Sequence, residues 1–494
     1  MAEPDEAPQE RSESHVLAER REKLDRLRAD GVEPFPHDFD GRVEIAEAHA
    51  AHGGLQPGEE TEDSYRVAGR IAARRGHGKA AFLDLADGSG KIQLHSRADV
   101  VGEAEHERLV GLDLGDVIGV DGVVFKTRRG ELSLRVTGWN LLAKSLRPPP
   151  DKFHGLEDTE LRHRHRELDL IANPETRQRF RIRGATVAAV RRWLDDRGFV
   201  EVETPVLQPL YGGALARPFV THHNALDRDL YLRIATELYL KRLIVGGVDK
   251  VYELGKDFRN EGVSFKHNPE FTMLEWYEAY ADYDDGAARH EQLVADVAEQ
   301  VLGTTKVVRD EVEIDLAPPW RRVTLRDAIR ERTGLDITEH PTAEALAAAM
   351  DSEVDPGESW GKLVDGLLSK EVEPTLIQPT YVMDYPVEMS PFAKLHRTEE
   401  GLTERWEAYV GGFEISNAFT ELNDPDEQRR RFEAQAEELR LGDEEAQPFD
   451  EDYLQALEYG MPPTSGVGLG IDRLVMLLTG ARSLREVVLF PAMR

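Results

Sequence analysis

One short stretch, FRNEGVSFKHNPEFTMLEWYEAY from Phe258 to Tyr280, would line one surface with a guanidinium, an imidazole, two carboxylates and two aromatic rings. A strand would present every second side chain of its second half on one face, namely Phe271, Met273, Glu275 and Tyr277. Because a strand-like segment also precedes the polar loop, we predict two antiparallel strands joined by a long charged loop. A carboxylate such as Glu275 on a half-buried face needs a cationic partner. Taken alone it fits a solvated edge hairpin, but aromatic and ionisable residues sharing one face favour a binding surface.

A second group of carboxylates surrounds two glycines in RWEAYVGGFEISNAFTELND. Gly411-Gly412 between apolar runs predicts a two-residue hairpin turn. Strict pairing then sets Glu407 opposite Ser416, with Glu414 diagonal to Glu407 at about 7–8 Å between α-carbons. Two carboxylates at that separation suit a hard cation such as Mg²⁺ bound to phosphate oxygens. The alternative is an exposed edge hairpin without a ligand.

Three further polar and aromatic side chains follow on the same predicted strand, Asn417, Phe419 and Glu421. Their period of two places them on one face, but strict alternation would set that face opposite the one that carries Glu414. A β-bulge near Ser416 and Asn417 would bring the two sets together.

A glycine-rich strand precedes an apolar helix in TSGVGLGIDRLVMLLTG. Gly466, Gly468 and Gly470 allow another backbone or a nucleotide to approach closely. Arg473 stands at the start of the helix, so its charge adds to the helix N-terminus in attracting phosphate. The chain has no Walker-type phosphate loop. The glycines alone are weak support for a nucleotide site, and the arginine after them strengthens it.

Composition limits the kinds of site that the chain can build. Its 494 residues suffice for two or three domains, and no apolar run approaches the ~20 residues of a membrane span. The chain has no cysteine, which excludes disulfides, thiolate zinc sites and cysteine nucleophiles and suits a reducing cytoplasm. The N-terminal sequence shows no secretion signal, so we expect a cytoplasmic protein. The net charge of −32 argues against a polyanionic partner, unless local basic patches make the contact.

The elements that would carry these residues fall into several segments. Residues 1–60 form an acidic extension with one helix, Ser14 to Asp30. Residues 61–147 hold five short strands with a helical stretch after the third, the pattern of an OB-type barrel. Pro148-Pro149-Pro150 marks the boundary to a third segment, 148–494, in which helices and strands alternate without a βαβ rhythm. Within it we predict a helical insertion at about 285–375. The fold class is therefore α+β.

The predicted barrel is locally basic, with Arg66, Arg70, Arg74, Arg75, Lys79, Lys91 and Arg97. Phe82 and Gln93 lie on adjacent predicted strands. A basic strand face that carries an aromatic ring is typical of barrels that bind single-stranded nucleic acid. Oligosaccharide binding or a purely structural role fits the pattern about equally well, and Phe82 could instead belong to the barrel core.

Together these segments resemble the three motifs of class II aminoacyl-tRNA synthetases: VETP ending at Pro205, the hairpin with Arg259, and GLGIDR ending at Arg473. More closely, the chain resembles the bacterial lysyl-tRNA synthetases, through YGGALARPFVTHHN, RIATELYLKRLIVGG, FRNEGVSFKHNPEFTM, FTELNDP and LFPAMR. The resemblance runs from about residue 60 to 494. It implies an antiparallel sheet flanked by helices after an anticodon-binding barrel, and a homodimer with Pro205 at the interface. It also implies activation of lysine by ATP and transfer to tRNA.

The resemblance also implies roles by position. The residues for ATP are Arg259, Glu261, His267, Phe271 and Arg473, of which the two arginines are catalytic. The residues for lysine are Gly213, Glu237, Arg259, Glu275, Tyr277, Asn417, Phe419 and Glu421. Glu407 and Glu414 would hold Mg²⁺, about three ions accompanying ATP, with no zinc. The anticodon readers would be Arg74, Phe82 and Gln93.

Three rival interpretations remain open at this point. A synthetase for aspartate or asparagine shares the barrel and motifs, but should carry a cation where Glu421 lies. A relative that lysylates a protein resembles the chain only beyond about residue 150, and the barrel argues against it. A non-catalytic RNA-binding paralogue should have lost Arg259, Glu414 or Arg473, and all three are present.

Overall fold

The computed structural model describes residues 8–76, 78–150, 156, 158–351, 359–440 and 446–493. Two compact units divide the chain, Met1–Arg177 and Gln178–Arg494. Among the described residues, no helix has both the length and the apolar character needed to cross a membrane.

Unit 1 is built around a closed five-stranded barrel with the strand order β1-β2-β3-β5-β4. All neighbouring strands are antiparallel except β3 and β5. The strands are β1 Glu60–Arg75, β2 Ala80–Ala86, β3 Lys91–Arg97, β4 Val117–Lys126 and β5 Leu132–Ala143. The helices are α1 Pro8–Ala29, α2 Ile45–His52, α3 Ala98–Val101, α4 Glu103–Gly111, α5 Thr159–Arg164 and α6 Arg166–Ala172. The predicted OB-type barrel, with helix after the third strand, is confirmed.

Alternation along the barrel strands separates the core from an outward face. In β2 the side chains of Ala81, Leu83 and Leu85 are buried, and Leu83 and Leu85 belong to the barrel core. Phe82 lies between them in sequence and is only half-buried. Since neighbouring side chains of a strand point to opposite faces, Phe82 belongs to the outward face and not to the core.

Unit 2 is built around an eight-stranded sheet with the order β14-β15-β16-β17-β18-β11-β10-β6. Its inner strands are antiparallel, and the outer pairs β14–β15 and β10–β6 are parallel. Two small sheets, β12-β13 and β7-β9-β8, complete the strands. The predicted antiparallel sheet flanked by helices is confirmed.

The bounds of these elements are as follows. The strands are β6 Val200–Glu201, β7 Leu207–Gln208, β8 Val220–His223, β9 Arg228–Leu232, β10 Lys250–Phe258, β11 Glu270–Ala279, β12 Lys306–Arg309, β13 Val312–Asp315, β14 Arg321–Thr324, β15 Thr380–Pro386, β16 Leu402–Val410, β17 Phe413–Thr420 and β18 Thr464–Gly470. The helices are α7 Pro174–Asp195, α8 Glu237–Val245, α9 Tyr283–Leu302, α10 Leu325–Thr333, α11 Ala343–Ala349, α12 Trp360–Leu367, α13 Pro425–Arg440, α14 Glu451–Glu458 and α15 Ile471–Thr479.

The stretch at 285–375 differs from the predicted helical insertion. It contains three strands, β12, β13 and β14, and β14 forms an edge of the main sheet. The turn between β12 and β13 places Asp310 and Glu311 at positive φ without a glycine, so the sequence carries no ordinary turn signal there. Helix α9 packs into the main core through Leu293, Val294 and Val297.

Candidate active site and nucleic-acid interface

The β10–β11 hairpin forms as predicted, and β11 then pairs with the glycine-rich strand β18. Glu275 lies opposite Gly468, and Tyr277 lies opposite Gly466. A Cβ atom at Gly466 would overlap the side chains of Glu421 and Tyr277, and one at Gly468 would lie 2.8 Å from Met273. Because these glycines have no side chain, the side chains of β11 and β17 meet over β18 in one concave surface.

The β16–β17 hairpin contains the bulge that strict alternation required. Gly411 and Gly412 have φ values of 65° and 80°, which confirms the two-residue turn. Tyr409 pairs with Glu414, but the next pair is Ala408 with Ser416, so Ile415 is the extra residue. Glu407 therefore lies opposite Asn417, and the predicted pairing with Ser416 is wrong. The bulge moves Asn417, Phe419 and Glu421 onto the face that carries Glu407 and Glu414.

A cavity of about 200 Å³ opens on this surface. Its wall includes all eight residues that the resemblance assigned to lysine: Gly213, Glu237, Arg259, Glu275, Tyr277, Asn417, Phe419 and Glu421. They come from the loop before β8, from helix α8, and from strands or strand ends of β10, β11 and β17. The size and the mixed apolar and ionic wall fit a small amphiphile with more than one charge.

The floor of this cavity is unusually rich in buried charge. Glu237, Glu275 and Glu421 are all buried, and so is the ammonium of Lys241, which forms ion pairs with Glu237 at 2.6 Å and with Glu421. Burial raises the pKa of Glu275 to about 8, and nearby Asp257 and Glu237 add to the shift. Burial also raises the pKa of Glu421 to about 8 although Lys241 acts against it. Additional cationic charge is therefore needed before all three carboxylates ionise.

Hydrogen bonds orient part of this acidic floor. Glu275 accepts from the Thr236 amide at 3.3 Å and from the Tyr277 hydroxyl at 3.2 Å. Among the described residues, Oε1 of Glu421 has no hydrogen-bond partner. A buried carboxylate oxygen without a partner is costly, so this atom marks where a ligand donor belongs.

A second cavity, of about 240 Å³, adjoins the first. Its wall includes Arg259, Glu261, His267, Phe271, Glu414 and Arg473. Arg259 and Asn417 line both cavities. The Arg259 guanidinium lies 5.1 Å from the centre of the Phe271 ring. Burial, with Arg473 and Lys266 nearby, lowers the pKa of His267 to about 4, so its imidazole is neutral at pH 7. Two arginines, a ring and a neutral imidazole suit a nucleotide with its phosphates.

The two carboxylates proposed for metal binding each have an arginine partner. Glu414, with a side chain 34% exposed, receives a hydrogen bond from Arg473 at 2.9 Å. Glu407 pairs with Arg405 at 2.5 Å and accepts from the Tyr385 hydroxyl at 2.9 Å. Among the described residues, no group of three or more acidic or histidine side chains is placed to hold a metal ion.

This donor set fits Mg²⁺ only with help from a ligand. Glu414 lines the second cavity, whereas Glu407 lies deeper on the same face. Two carboxylate side chains supply too few oxygens for six-coordinate Mg²⁺, which usually completes its shell with phosphate oxygens and water. The arrangement therefore fits an ion that arrives together with a nucleotide.

The outward face of the unit 1 barrel carries a row of rings. The Phe82 ring stacks on His95, with centroids 4.5 Å apart and planes at 8°, and His95 lies 5.8 Å from the Phe125 ring. The Arg135 guanidinium lies 5.4 Å from the Phe125 centroid. We call Phe82, His95, Phe125 and Arg135 the ring row. Planar groups at this spacing suit unstacked nucleobases.

The structure places the three predicted anticodon readers differently with respect to the ring row. Gln93 is two residues from His95 on β3, and its Oε1 accepts from the Ser133 hydroxyl at 3.1 Å. The Arg74 guanidinium faces α4, where it donates to the carbonyls of Val110 and of Leu112, the latter at 2.8 Å. Arg75 is the residue that pairs with Phe82 across the strands.

Several residues that sequence reasoning missed contribute to these sites. Lys241 follows Glu237 by one helical turn, a spacing that ordinarily indicates an exposed pair on a helix surface. Arg405 bridges Glu407 and Asn417, donating to the latter at 3.2 Å. His95 alternates with Gln93 along β3, so period two could have placed it beside Phe82.

Comparison with known families gives two matches. Residues 158–494 match the family described as tRNA synthetases class II (D, K and N). Residues 65–142 match the family described as OB-fold nucleic acid binding domain. The two matches cover both sites described above.

Comparison with curated proteins gives relatives of nearly the same length. A lysine–tRNA ligase of Moorella thermoacetica is 52% identical over 486 residues, which cover 98% of this chain and 98% of that protein. A lysine–tRNA ligase of Bacillus subtilis is 52% identical over 483 residues, covering 97% of each chain. A lysine–tRNA ligase of a Synechococcus species is 52% identical over 485 residues, covering 97% of this chain and 99% of that protein.

Proposed function

The chain belongs to the class II lysine–tRNA ligases, and we propose that the two adjoining cavities of unit 2 are where it activates lysine with ATP. The observation that carries this assignment is the wall that the cavities share, formed in part by Arg259 and Asn417. A carboxylate bound in the smaller cavity and an α-phosphate bound in the larger one would both face Arg259. Holding two reactants in contact in this way lowers the entropic part of the barrier.

We assign the smaller cavity to lysine. The ε-ammonium extends to the buried end, where Glu421, Tyr277 and Glu275 receive it, and Phe419 packs against the aliphatic stem. Glu237 and the Gly213 backbone receive the α-ammonium. Support comes from the acidic floor, because a buried ammonium requires anionic partners and a neutral or acidic side chain would leave these carboxylates unpaired. The carboxylate of lysine then faces Arg259 and Asn417.

We assign the larger cavity to ATP. The adenine stacks on Phe271, with Arg473 on its other face and near the γ-phosphate, while Glu261 and His267 hold the nucleotide. A carboxylate oxygen of lysine attacks the α-phosphorus, the bond to the bridging oxygen breaks, and pyrophosphate leaves. Arg259 offsets the charge that develops on the α-phosphoryl oxygens. In the second step the terminal ribose hydroxyl of tRNA attacks the lysyl carbonyl and AMP leaves.

The family uses ATP and Mg²⁺, and we propose that Glu407 and Glu414 hold magnesium when ATP is present. Bound Mg²⁺ would neutralise phosphate charge and favour departure of pyrophosphate. Glu414 lines the larger cavity, and the interaction between the two carboxylates contributes to the raised pKa of Glu407, which burial mainly causes. We further propose that about three magnesium ions accompany ATP and that no zinc takes part.

Magnesium binding should depend on both ATP and Glu414. In equilibrium dialysis, we expect the free enzyme to bind Mg²⁺ weakly and the ATP complex to bind it at least tenfold more tightly, because phosphate oxygens complete the shell. Glu414→Gln should abolish most of this gain. Glu404→Gln is the matched control, since Glu404 is a buried carboxylate of the neighbouring strand β16 and pairs with Arg397 outside the cavity. Equal binding with and without ATP would contradict the assignment.

Two of the rival interpretations differ from a lysine–tRNA ligase in whether and which amino acid they activate, and the relative that lysylates a protein differs in the acceptor. The exchange of labelled pyrophosphate into ATP, measured with lysine, aspartate and asparagine, separates the first two, and charging of tRNA with lysine separates the third. We expect exchange with lysine alone. Exchange with aspartate or asparagine would indicate a sibling synthetase, and no exchange with any of the three would indicate a non-catalytic paralogue.

We propose that the OB-fold barrel reads the anticodon of the tRNA through Phe82, Gln93 and Arg74. The half-exposed Phe82 ring and its stacking on His95 support this role, because a stacked pair of rings offers a flat surface to a base. Gln93 presents both a donor and an acceptor to a base edge. Arg74 would have to leave the carbonyls of α4 to contact a base.

Phe82→Ala should separate the two steps of the reaction. We expect kcat/KM for tRNA to fall about 5- to 150-fold, the equivalent of ~1–3 kcal/mol of stacking per base, while lysine-dependent pyrophosphate exchange stays unchanged. Phe35→Ala is the matched control, since Phe35 is an exposed ring outside the barrel strands. A parallel loss of exchange, or normal tRNA charging, would show that Phe82 does not contact the anticodon.

We also propose a cytoplasmic homodimer with the segment around Pro205 at its interface. Exposed apolar side chains cluster in this part of the sequence: Val200, Val206, Leu207, Leu215, Val220 and Leu226. Such a concentration is typical of a surface that another subunit covers.

We propose domain limits of 1–60, 61–147 and 148–494, which bracket the two family matches. The absence of cysteine suits a reducing compartment.

A further inference from the structure

Lys241 is a cation buried beneath the smaller cavity, and the roles proposed above do not use it. Its side chain is 0% exposed and extends from α8 toward β17. The ammonium lies 2.6 Å from Oε1 of Glu237 and forms a second ion pair with Oε2 of Glu421. Desolvation by burial opposes its charge, but the two carboxylates outweigh this effect and raise the pKa of Lys241. It is therefore charged across the physiological range.

The charged and titratable groups around Lys241 come from every element packed against it. Glu237 lies on its own helix, α8, and Phe392 places its ring 5.1 Å from the ammonium. The remaining groups that act on Lys241 or on its two carboxylates are Glu275, Tyr277, Arg405 and Tyr453. Arg405 is already paired with Glu407, so among the described residues Lys241 is the cation that forms ion pairs with the acidic floor.

Two oxygens of Glu421 thus differ in their surroundings. Neither oxygen has a hydrogen-bond partner among the described residues, but Oε2 forms an ion pair with Lys241, whereas Oε1 lies beside Gly466. When all three carboxylates of the floor are ionised, the one ammonium of Lys241 balances only one of them. The other two negative charges remain unbalanced, and lysine carries two ammonium groups. The charge of the cavity therefore matches the substrate only while Lys241 stays in place.

We propose that Lys241 is a resident ammonium that remains on Glu237 and Glu421 when lysine binds, and that it positions Glu421 so that only Oε1 is left for the ε-ammonium of the substrate. The inference rests on the proposed lysine cavity and makes Lys241 a positioning residue that sets specificity. The alternative is that Lys241 occupies this position only in the absence of lysine. In that case Lys241 moves away when lysine binds, and the substrate ammonium takes its position.

The two possibilities predict different pH profiles for lysine binding. In the wild-type enzyme, the pKa values of about 8 for Glu275 and Glu421 mean that protons must leave before the substrate ammoniums are received. The KM for lysine should therefore fall as pH rises and level off near pH 8. Removing the charge of Lys241 takes away an attraction that holds the Glu421 pKa down, a loss worth about one to three pH units.

The first experiment measures KM for lysine in pyrophosphate exchange from pH 6.5 to 9.5 with Lys241→Met and Lys241→Arg. We expect Lys241→Met to raise the KM for lysine at least tenfold at pH 7 and to leave the KM for ATP unchanged. In this variant the KM for lysine should still decrease with rising pH at pH 9. Lys241→Arg, which keeps the charge, should level off near pH 8. Lys250→Met is the control, because Lys250 pairs with Glu278 at 3.1 Å outside the cavity.

The inference would be overturned if the KM for lysine levelled off near pH 8 in Lys241→Met as in the wild-type enzyme. It would also be overturned if the pH at which this KM levels off rose equally in Lys241→Met and Lys241→Arg. Wild-type enzyme without lysine-dependent exchange would overturn the proposed function instead. A crystal structure of the lysine complex decides the question if Lys241→Met does not fold. We expect the Lys241 ammonium still on Glu237 and Glu421, with the substrate ammonium on Oε1. Lysine bound in the cavity with Lys241 swung aside would refute the inference alone.

Discussion

Replacing Arg259 by alanine should lower the rate of lysine-dependent pyrophosphate exchange by about 10²–10³, the usual cost of losing one charge-stabilising donor. The reason is its position, since Arg259 lines both cavities and would face the carboxylate of lysine and the α-phosphate together. The fall should appear mainly in kcat, because the charge on the α-phosphoryl oxygens develops in the transition state. The measurement is steady-state exchange at saturating lysine and ATP.

Arg289→Ala provides the matched control for this experiment. Arg289 is another arginine of unit 2. It forms an ion pair with Glu278 of β11 and lies outside both cavities. It should leave the exchange rate within a few-fold of wild type. Arg473→Ala is a less clean test, because it also frees Glu414 from its 2.9 Å contact. Exchange by Arg259→Ala within a few-fold of wild type would refute the role of Arg259.

Glu421→Gln should raise the KM for lysine by about 10²–10³ and leave the KM for ATP nearly unchanged. Breaking a buried ion pair on one side costs roughly 3–5 kcal/mol, and each 1.4 kcal/mol corresponds to about tenfold in affinity. Glutamine keeps the size of the side chain, so the loss reports the charge. Lys241 retains Glu237 as a partner in this variant, which limits the damage to the fold.

Glu278→Gln is the matched control, since Glu278 is a buried carboxylate of β11 that pairs with Arg289 and Lys250 outside the cavity. It should lower the melting temperature without changing the KM for lysine. If Glu421→Gln raised the KM for lysine and for ATP equally, Glu421 would be a structural residue and the ε-ammonium would bind elsewhere.

Local patterns predicted much of the fold because they are set by nearest neighbours in the chain. The period-two pattern of Phe271 to Tyr277 and the Gly411-Gly412 turn each depend on a few consecutive residues, and both were confirmed. The short strands β12 to β14 were missed because their turn uses Asp310 and Glu311 at positive φ, conformations that these residues rarely adopt.

Only the resemblance proposes the candidate site residue by residue, because the assembly of its side chains depends on long-range contacts. The bulge at Ile415 follows from pairing with both β16 and β18, and nothing in the sequence EISN marks the extra residue. The spacing of Glu237 and Lys241 is typical of an exposed pair on a helix surface, and only the packing of α8 against the sheet buries both. Burial, which raises the pKa values of Glu275 and Glu421, is likewise a property of the assembled unit.

The wall that the two cavities share has a further consequence for the proposed reaction, in the interval between its two steps. Lysyl-adenylate is a reactive mixed anhydride that water destroys, yet it must wait for the tRNA. Under the proposed assignment, its lysyl part would fill one cavity and its adenosine part the other, and a single covalent linkage would pass Arg259 and Asn417, which line both. The joined molecule loses its translational freedom only once, so it is held far more tightly than either precursor. Dissociation would require both ends to leave their cavities at the same time, so the proposed site would keep the reactive anhydride bound until the tRNA arrives.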